Sequence, residues 1–228
     1  MRVEYSANAE LASLQAAVRI AEACRGAVQE RGRCVIALSG GSTPRGMLAH
    51  LARQDVPWQA VVIVQVDERY APDGDAERNL TDLENYLVEP AGIPVENILA
   101  MPVRVGDEDR AAAEYAESLC AAAGSPPAID VVHLGLGGDG HTASLLPGDT
   151  LCDEDSDYTG NTGPYGGYRR MSLTYPAING AREIVWLVTG SSKQKALQQL
   201  LDGDPAIPAS GVRRDNAIIF TDQQGLVG

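Results

Sequence analysis

Short apolar runs that alternate with amphipathic segments are the feature of this sequence that most restricts its fold. The runs have the length of strands and are largely continuous in apolar residues rather than alternating with polar ones. The predicted strands are 34–38, 61–64, 98–101, 129–134, 184–188 and 217–220, and the predicted helices are 9–30, 44–53, 79–87, 108–123 and 193–201. This order is typical of an α/β fold in which helices cover both faces of a mainly parallel sheet.

We expect a single domain over residues 1–228, because the length suits one large α/β domain and neither a linker nor an internal repeat divides the chain. The segment 149–167 is a break in composition. It is rich in Gly, Asp, Thr and Tyr, which predicts a long surface loop.

The charge balance argues against two classes of partner. The chain carries 31 acidic and 18 basic residues, a formal net charge of −13. Nucleic acids and anionic membranes are bound through a positive field, so we expect contact with neither, although a local pocket can still be basic. No apolar run reaches the length of a membrane span, and the first residues lack an apolar signal segment, which favours a cytoplasmic protein. We expect the four well-separated cysteines to be reduced thiols. We also expect no obligatory protein partner.

Three polar clusters follow predicted strands, at the edge where open parallel sheets bind ligands. The first cluster, SGGSTP at 39–44, contains Gly40 and Gly41, which let backbone N–H groups approach an anion, followed by Ser42 and Thr43 near a helix start. It lacks the pattern of a Walker loop or of a dinucleotide-binding turn. The alternative for this cluster is a tight strand-to-helix turn without a ligand.

The second cluster, DER at 67–69, delivers Asp67 and Arg69 to the same edge, and an arginine there suits a phosphate through paired hydrogen bonds. The alternative is a solvated run of charges. The third cluster, GLGGDGH at 135–141, matches a dinucleotide-binding pattern but lies in mid-chain without the acidic residue that such a site needs further along.

His141 stands two residues after Asp139 in this glycine-lined loop, which favours a role in proton transfer. The alternative is a histidine that caps a short helix beginning near Thr142. His50 and His133 fall inside a helical and a strand pattern and are expected to be structural. We expect no metal site, because His141 has no histidine or cysteine at ligand spacing and the acidic stretch 153–157 lacks the pattern of a calcium loop.

Taken together, five segments resemble the 6-phosphogluconolactonase family, within the glucosamine-6-phosphate isomerase/6-phosphogluconolactonase superfamily. They are LSGGSTP at 38–44, VDER at 66–69, GLGGDGHTASLLPG at 135–148, RMSLTYPAIN at 170–179 and VTGSSK at 188–193. Each alone is a weak signal, but they occur in family order over most of the chain. The resemblance implies the fold shared by glucosamine-6-phosphate deaminases and ribose-5-phosphate isomerases. It also implies hydrolysis of 6-phospho-D-glucono-1,5-lactone to 6-phospho-D-gluconate, the second step of the oxidative pentose phosphate pathway, without metal or coenzyme.

The same resemblance implies that His141 is the catalytic histidine and that Arg69 and Lys193 contact the phosphate, with Arg170 as a further candidate. The alternative for Lys193 is a solvent-exposed helix residue. The resemblance and the pattern of residues together predict His141 as the general base and Asp139 as its orienting partner. The amides near Gly40 would bind either the oxyanion or the phosphate. No G-x-S-x-G elbow is present, which favours direct attack by water over an acyl-enzyme.

The sequence departs from the family pattern at Gly138, where proline is usual, at Leu146, where phenylalanine is usual, and at 158–168, which replaces a proline-rich stretch. Two alternatives remain. A sugar-phosphate isomerase or deaminase on the same fold would need a carboxylate just before Pro147, where this chain has Leu146. A non-catalytic sugar-phosphate sensor would need a DNA-binding helix-turn-helix ahead of the helix that begins near residue 9.

Overall fold

The computed structural model describes residues 1–225 and contains, within them, ten strands and seven α-helices. The strands are β1 (Arg2–Tyr5), β2 (Cys34–Leu38), β3 (Val61–Gln65), β4 (Asp67–Arg69), β5 (Ile98–Leu99), β6 (Val131–Leu134), β7 (Thr159–Tyr165), β8 (Tyr168–Leu173), β9 (Glu183–Val188) and β10 (Ala217–Thr221). The helices are α1 (Ala9–Arg31), α2 (Ser42–Leu51), α3 (Asn79–Leu83), α4 (Glu89–Ala91), α5 (Glu108–Ala123), α6 (Tyr175–Asn179) and α7 (Gln194–Asp202). A π-helical turn, Glu84–Val88, joins α3 to α4.

Seven strands form one parallel sheet in the order β1-β10-β9-β6-β2-β3-β5. From β2 the chain first adds β3 and β5 on one side and then β6, β9 and β10 on the other. The direction of winding therefore changes between β2 and β6. In sheets of this kind the loops on either side of that change separate and leave a crevice at the carboxyl ends of the strands.

The central strands of the parallel sheet are buried on both faces, as the sequence predicts. Within β2, Val35 and Ala37 belong to one apolar cluster, and Ile36 and Leu38 belong to the other. Helix α1 covers the second cluster mainly through alanines, whose small side chains let the helix lie close to the strands. The predicted α/β fold, with a mainly parallel sheet between helices, is confirmed.

The prediction of a long loop over 149–167 is wrong. Residues Thr159–Tyr165 form β7, which pairs with β8 and, through it, with β4 in a second, antiparallel sheet of three strands. Glycine and asparagine disfavour strands when judged alone. Here the strand is stabilised by its ladder to β8 and by the buried side chains of Thr159 and Thr162.

Smaller differences concern element ends. The edge strand β1 is not predicted, and α2 begins at Ser42 rather than Pro44 because the preceding Gly41, with φ at 105°, ends the extended backbone. Strand β6 begins two residues after the predicted start at 129. At Asp130 the side-chain carboxylate, rather than a backbone carbonyl, accepts the hydrogen bond from the Val35 amide, at 2.8 Å.

Across the part of the chain described, no helix combines the length and the apolar character needed to cross a membrane.

His133 is a fully buried histidine in β6, and neither of its ring nitrogens has a hydrogen-bond partner among the described residues. Burial lowers the pKa of its imidazole from the usual 6.5 to about 3, because a charged ring would be poorly solvated there. The folded chain therefore keeps His133 neutral while the unfolded chain protonates it below pH 6.5. His133 therefore leaves the free energy of unfolding unaffected above pH 6.5 and lowers it progressively as the pH falls towards 3.

We expect His133→Leu to remove this acid sensitivity. From pH 7 to pH 5, wild-type protein should lose about 2 kcal/mol more free energy of unfolding than the variant, since each pH unit below the unfolded pKa costs about 1.4 kcal/mol. Urea unfolding at the two pH values measures the difference. Equal losses in the two proteins would contradict the assignment.

Candidate active site

A cavity of about 260 Å³ lies at the change of winding between β2 and β6. It brings together nine of the ten residues that the sequence singles out. These are Gly40, Gly41, Ser42, Thr43, Asp67, Arg69, His141, Arg170 and Lys193. The tenth, Asp139, does not line the cavity but is hydrogen-bonded to His141.

The loop after β2 is shaped by two glycines. A Cβ on Gly40 would lie 2.5 Å from Oδ1 of Asn79, so the close approach of this backbone to α3 requires glycine. Gly41 has φ at 105°, in the region that favours glycine. Its amide donates a hydrogen bond to Oδ2 of Asp82 at 3.0 Å. The amides of Gly40, Ser42 and Thr43, at the positive end of the α2 dipole, are therefore the ones left to an anion.

The loop after β6 holds the histidine against its carboxylate. Nδ1 of His141 lies 2.6 Å from Oδ1 of Asp139, and the same oxygen accepts a hydrogen bond from the His141 amide at 3.3 Å. A Cβ on Gly137 would lie 2.1 Å from Nδ1, so this contact also depends on a glycine. Partial burial opposes ionisation of Asp139, but the charge and hydrogen bonds of His141 outweigh it and hold the pKa of the carboxyl below its usual value. With Nδ1 engaged, Nε2 is the ring nitrogen available to the cavity.

The alternative role for His141 as a helix cap is not what the structure contains. Residues 142–145 form a tight turn, in which the Leu145 amide donates to the Thr142 carbonyl at 2.9 Å. Ala143 lies in this turn and lines the cavity with φ at 50°. A non-glycine residue in that region carries backbone strain, and such strain is concentrated at functional sites.

Strand β4 contributes a buried acid. Asp67 is 6% exposed; its Oδ2 accepts a hydrogen bond from Oγ of Ser144 at 2.6 Å, and its Oδ1 accepts one from Nδ2 of Asn79 at 3.1 Å. Burial raises the pKa of the Asp67 carboxyl despite the Ser144 hydrogen bond and the positive charge of Arg170. Because Asp67 lines the cavity, this buried acid can hold a polar group of a ligand.

The cavity is cationic on one side. Arg69 and Arg170 are cross-strand partners between β4 and β8, and the Nε atom of each is buried without a hydrogen-bond partner among the described residues. Burial lowers the pKa of the Arg170 guanidinium, although the Asp67 carboxylate opposes this. Lys193 lines the same cavity, and within the described part of the chain its side-chain ammonium makes no hydrogen bond or ion pair, although its backbone amide donates to the Gly190 carbonyl. Buried guanidinium donors and a free ammonium suit an anionic ligand.

Four further residues complete the site and were missed by the sequence reasoning: Asn79, Asp82, Ser144 and Tyr165. Asn79 and Asp82 lie on α3, whose polar first turn is a weak signal by itself. Ser144 follows the DGH segment closely, but its partner Asp67 is 77 residues away. Tyr165 lies in the segment assigned to a loop. Among the described residues, no group of three or more His, Cys, Asp or Glu side chains could hold a metal ion.

This chain is similar to known proteins in sequence and in structure. The sequence model of the family described as glucosamine-6-phosphate isomerases/6-phosphogluconolactonase matches residues 7–220. A 6-phosphogluconolactonase of Synechocystis is 36% identical over 231 residues, which cover 98% of this chain and 96% of the relative. The crystal structure of a 6-phosphogluconolactonase from Shewanella baltica has a TM-score of 0.86 at 25% identity, with 97% of each chain covered. A monomeric glucosamine-6-phosphate deaminase has a TM-score of 0.82 at 19% identity over 97% of each chain, a likeness of fold alone.

Asp82 braces the loop after β2, because its Oδ2 holds the Gly41 amide and its Oδ1 accepts from Nε of Arg45 at 2.9 Å. We expect Asp82→Ala to lower the free energy of unfolding by about 1–3 kcal/mol, since the partly buried Gly41 amide and Arg45 lose their buried acceptor. Hydrogen exchange at the Gly41 amide should also become at least about tenfold faster. Asp82→Asn keeps an acceptor oxygen, so its free energy of unfolding and its exchange rate at Gly41 should lie between those of wild type and Asp82→Ala. Unchanged exchange at Gly41 in Asp82→Ala would show that the brace is not needed.

Proposed function

The chain belongs to the glucosamine-6-phosphate isomerase/6-phosphogluconolactonase family, and from this premise we propose that it hydrolyses 6-phospho-D-glucono-1,5-lactone to 6-phospho-D-gluconate. This is the second step of the oxidative pentose phosphate pathway. The observation that carries the proposal is the presence of the His141–Asp139 pair and a cluster of three cations at one cavity. A phosphorylated lactone needs both, a proton acceptor at its carbonyl and positive charge at its phosphate.

His141 acts as the general base. Its Nε2 takes a proton from a water molecule whose oxygen attacks C1 of the lactone. The tetrahedral intermediate then expels the ring oxygen, which receives the proton back from Nε2 and becomes the C5 hydroxyl. Asp139 holds the Nδ1 proton of the imidazole, so that Nε2 faces the water and the charge on the ring is balanced while it lasts. The product acid then ionises.

The substrate is held at its far end. Arg69, Arg170 and Lys193 surround the phosphate together with the amides at the start of α2, where a helix dipole favours a dianion. Asp67, buried beside them, binds a sugar hydroxyl. Fixing the phosphate and the ring orients C1 against His141, which uses binding energy remote from the reacting bond.

The same fold also occurs in a glucosamine-6-phosphate deaminase, which makes amino-sugar deamination the second candidate. The position before Pro147 argues against it. Leu146 stands there, buried and without a carboxylate to relay the proton that ring opening requires.

We propose a cytoplasmic location, because four free thiols, two of them buried, suit a reducing compartment. The proposed partner is the small sugar-phosphate lactone alone.

A pH-stat assay on freshly prepared 6-phosphogluconolactone tests the function. We expect acid release proportional to enzyme concentration above the spontaneous rate, no loss on adding EDTA, and no ammonia from glucosamine 6-phosphate. His141→Ala should fold normally and lose about two to four orders of magnitude in kcat, because it lacks the general base. His50→Ala, a histidine outside the cavity, serves as the control and should keep full activity.

Two results would overturn the mechanism: near-normal turnover in His141→Ala, or wild-type activity abolished by EDTA and restored by zinc. Ammonia release at enzymatic rates would favour the deaminase instead.

The cations give a separate prediction. Lys193→Ala and Arg69→Ala should raise KM for the phosphorylated lactone by about 10- to 100-fold, since each removes a charged donor to the phosphate. Lys195→Ala is the matched control, because this second lysine lies two residues away and does not line the cavity. Initial rates against lactone concentration measure the effect. Wild-type kcat/KM in both variants would refute the assignment.

A further inference from the structure

We propose that Tyr165, at the tip of the β7–β8 hairpin, is a positioning residue that fixes the Asp139–His141 pair and Arg170 relative to each other. The inference rests on the proposed function, because it concerns the same site. Tyr165 itself does not line the cavity and is 37% exposed. It acts through its neighbours and does not touch the substrate.

The hydroxyl of Tyr165 completes the hydrogen bonding of the carboxylate. Its Oη donates to Oδ2 of Asp139 at 3.0 Å, while Nδ1 of His141 lies 2.6 Å from Oδ1. Both carboxylate oxygens are thus held, which prevents Asp139 from turning away from the imidazole. Burial, and then the contact with Asp139, raises the pKa of the Tyr165 phenol, so the hydroxyl stays protonated and remains a donor at neutral pH.

The ring of Tyr165 makes two further contacts. It lies edge-on to the imidazole of His141, with 5.3 Å between centroids and 68° between planes, a favourable arrangement for aromatic pairs that also limits rotation of the histidine. The guanidinium of Arg170 lies 5.1 Å from the centroid of the same ring, within cation–π distance. One side chain therefore contacts both the proton-transfer pair and an arginine of the cationic cluster.

The hairpin is built to place this residue. Gly166 and Gly167 have φ at 61° and 89°, as a two-residue turn requires when both central residues take positive φ. Tyr165 and Tyr168 pair on either side of this turn, and the register shifts between Thr162 and Tyr165. Such an irregularity re-aims the side chains that follow it, here at the tip that meets the third polar cluster.

Substitution of Tyr165 by Phe or by Leu distinguishes the contribution of its hydroxyl from that of its ring. Tyr165→Phe keeps both ring contacts and loses the donor to Asp139, so we expect kcat for lactone hydrolysis to fall about 5- to 15-fold while KM stays within about twofold. Tyr165→Leu loses the ring as well, so KM should also rise about two- to fivefold through Arg170. Tyr168→Phe removes the other hydroxyl at this turn and should match wild type in both constants.

Melting temperatures of the three variants are measured alongside, and values equal to that of wild type exclude partial unfolding as the cause. A purely structural role would not divide its effects between kcat and KM. If wild type hydrolyses the lactone and Tyr165→Phe keeps its kcat, the inference is wrong while the proposed function stands. A loss in Tyr168→Phe equal to that in Tyr165→Phe would also refute it. If wild type does not hydrolyse the lactone, the proposed function itself fails.

Discussion

The buried carboxylate of Glu68 connects the strand and the helix that carry much of the site. Glu68 is fully buried in β4, and its oxygens accept hydrogen bonds from Nε2 of Gln65 and from the amides of Asn79 and Leu80, at 2.8, 2.8 and 2.9 Å. Nε of the equally buried Arg78 lies 3.0 Å away. A charge taken out of water needs this many partners, and the loss of any one is costly. Meeting that need fixes the first turn of α3 against β4.

The location of the site follows from this connection. The residues beside Glu68 on β4, Asp67 and Arg69, line the cavity, and α3 supplies Asn79 to its wall and Asp82 to the loop after β2. The two sheets divide the work. The parallel sheet contributes main-chain loops at the change of winding, including the one that carries His141. The small antiparallel sheet contributes Asp67 and the two arginines, because Arg69 and Arg170 are opposite each other across its ladder, while Lys193 follows β9 of the parallel sheet.

How far the sequence predicts this arrangement depends on the distance along the chain over which each part is determined. Continuous apolar runs predict the strands of the parallel sheet, and polar residues directly after them predict the wall of the cavity. Contacts between separate loops are not predictable in this way. Gly41 and Asp82 are 41 residues apart, and Asp139 and Tyr165 are 26 apart, so each contact depends on register and turn geometry that only the folded chain provides. Strand β7 was missed for a related reason, since its pairing to β8 outweighs the poor strand preference of its glycines.

Ala143 has a consequence for the engineering of this protein. With φ at 50° two residues after His141, it costs the folded chain about 1–2 kcal/mol that a glycine would not. Glycine, however, would widen the range of backbone shapes open to the turn and to the unfolded chain. The residue that best stabilises the protein and the residue that best preserves the shape of the cavity therefore need not be the same here. Selection for heat resistance alone would act on this position with no regard for turnover, so a library built for both properties should vary it separately from the buried core.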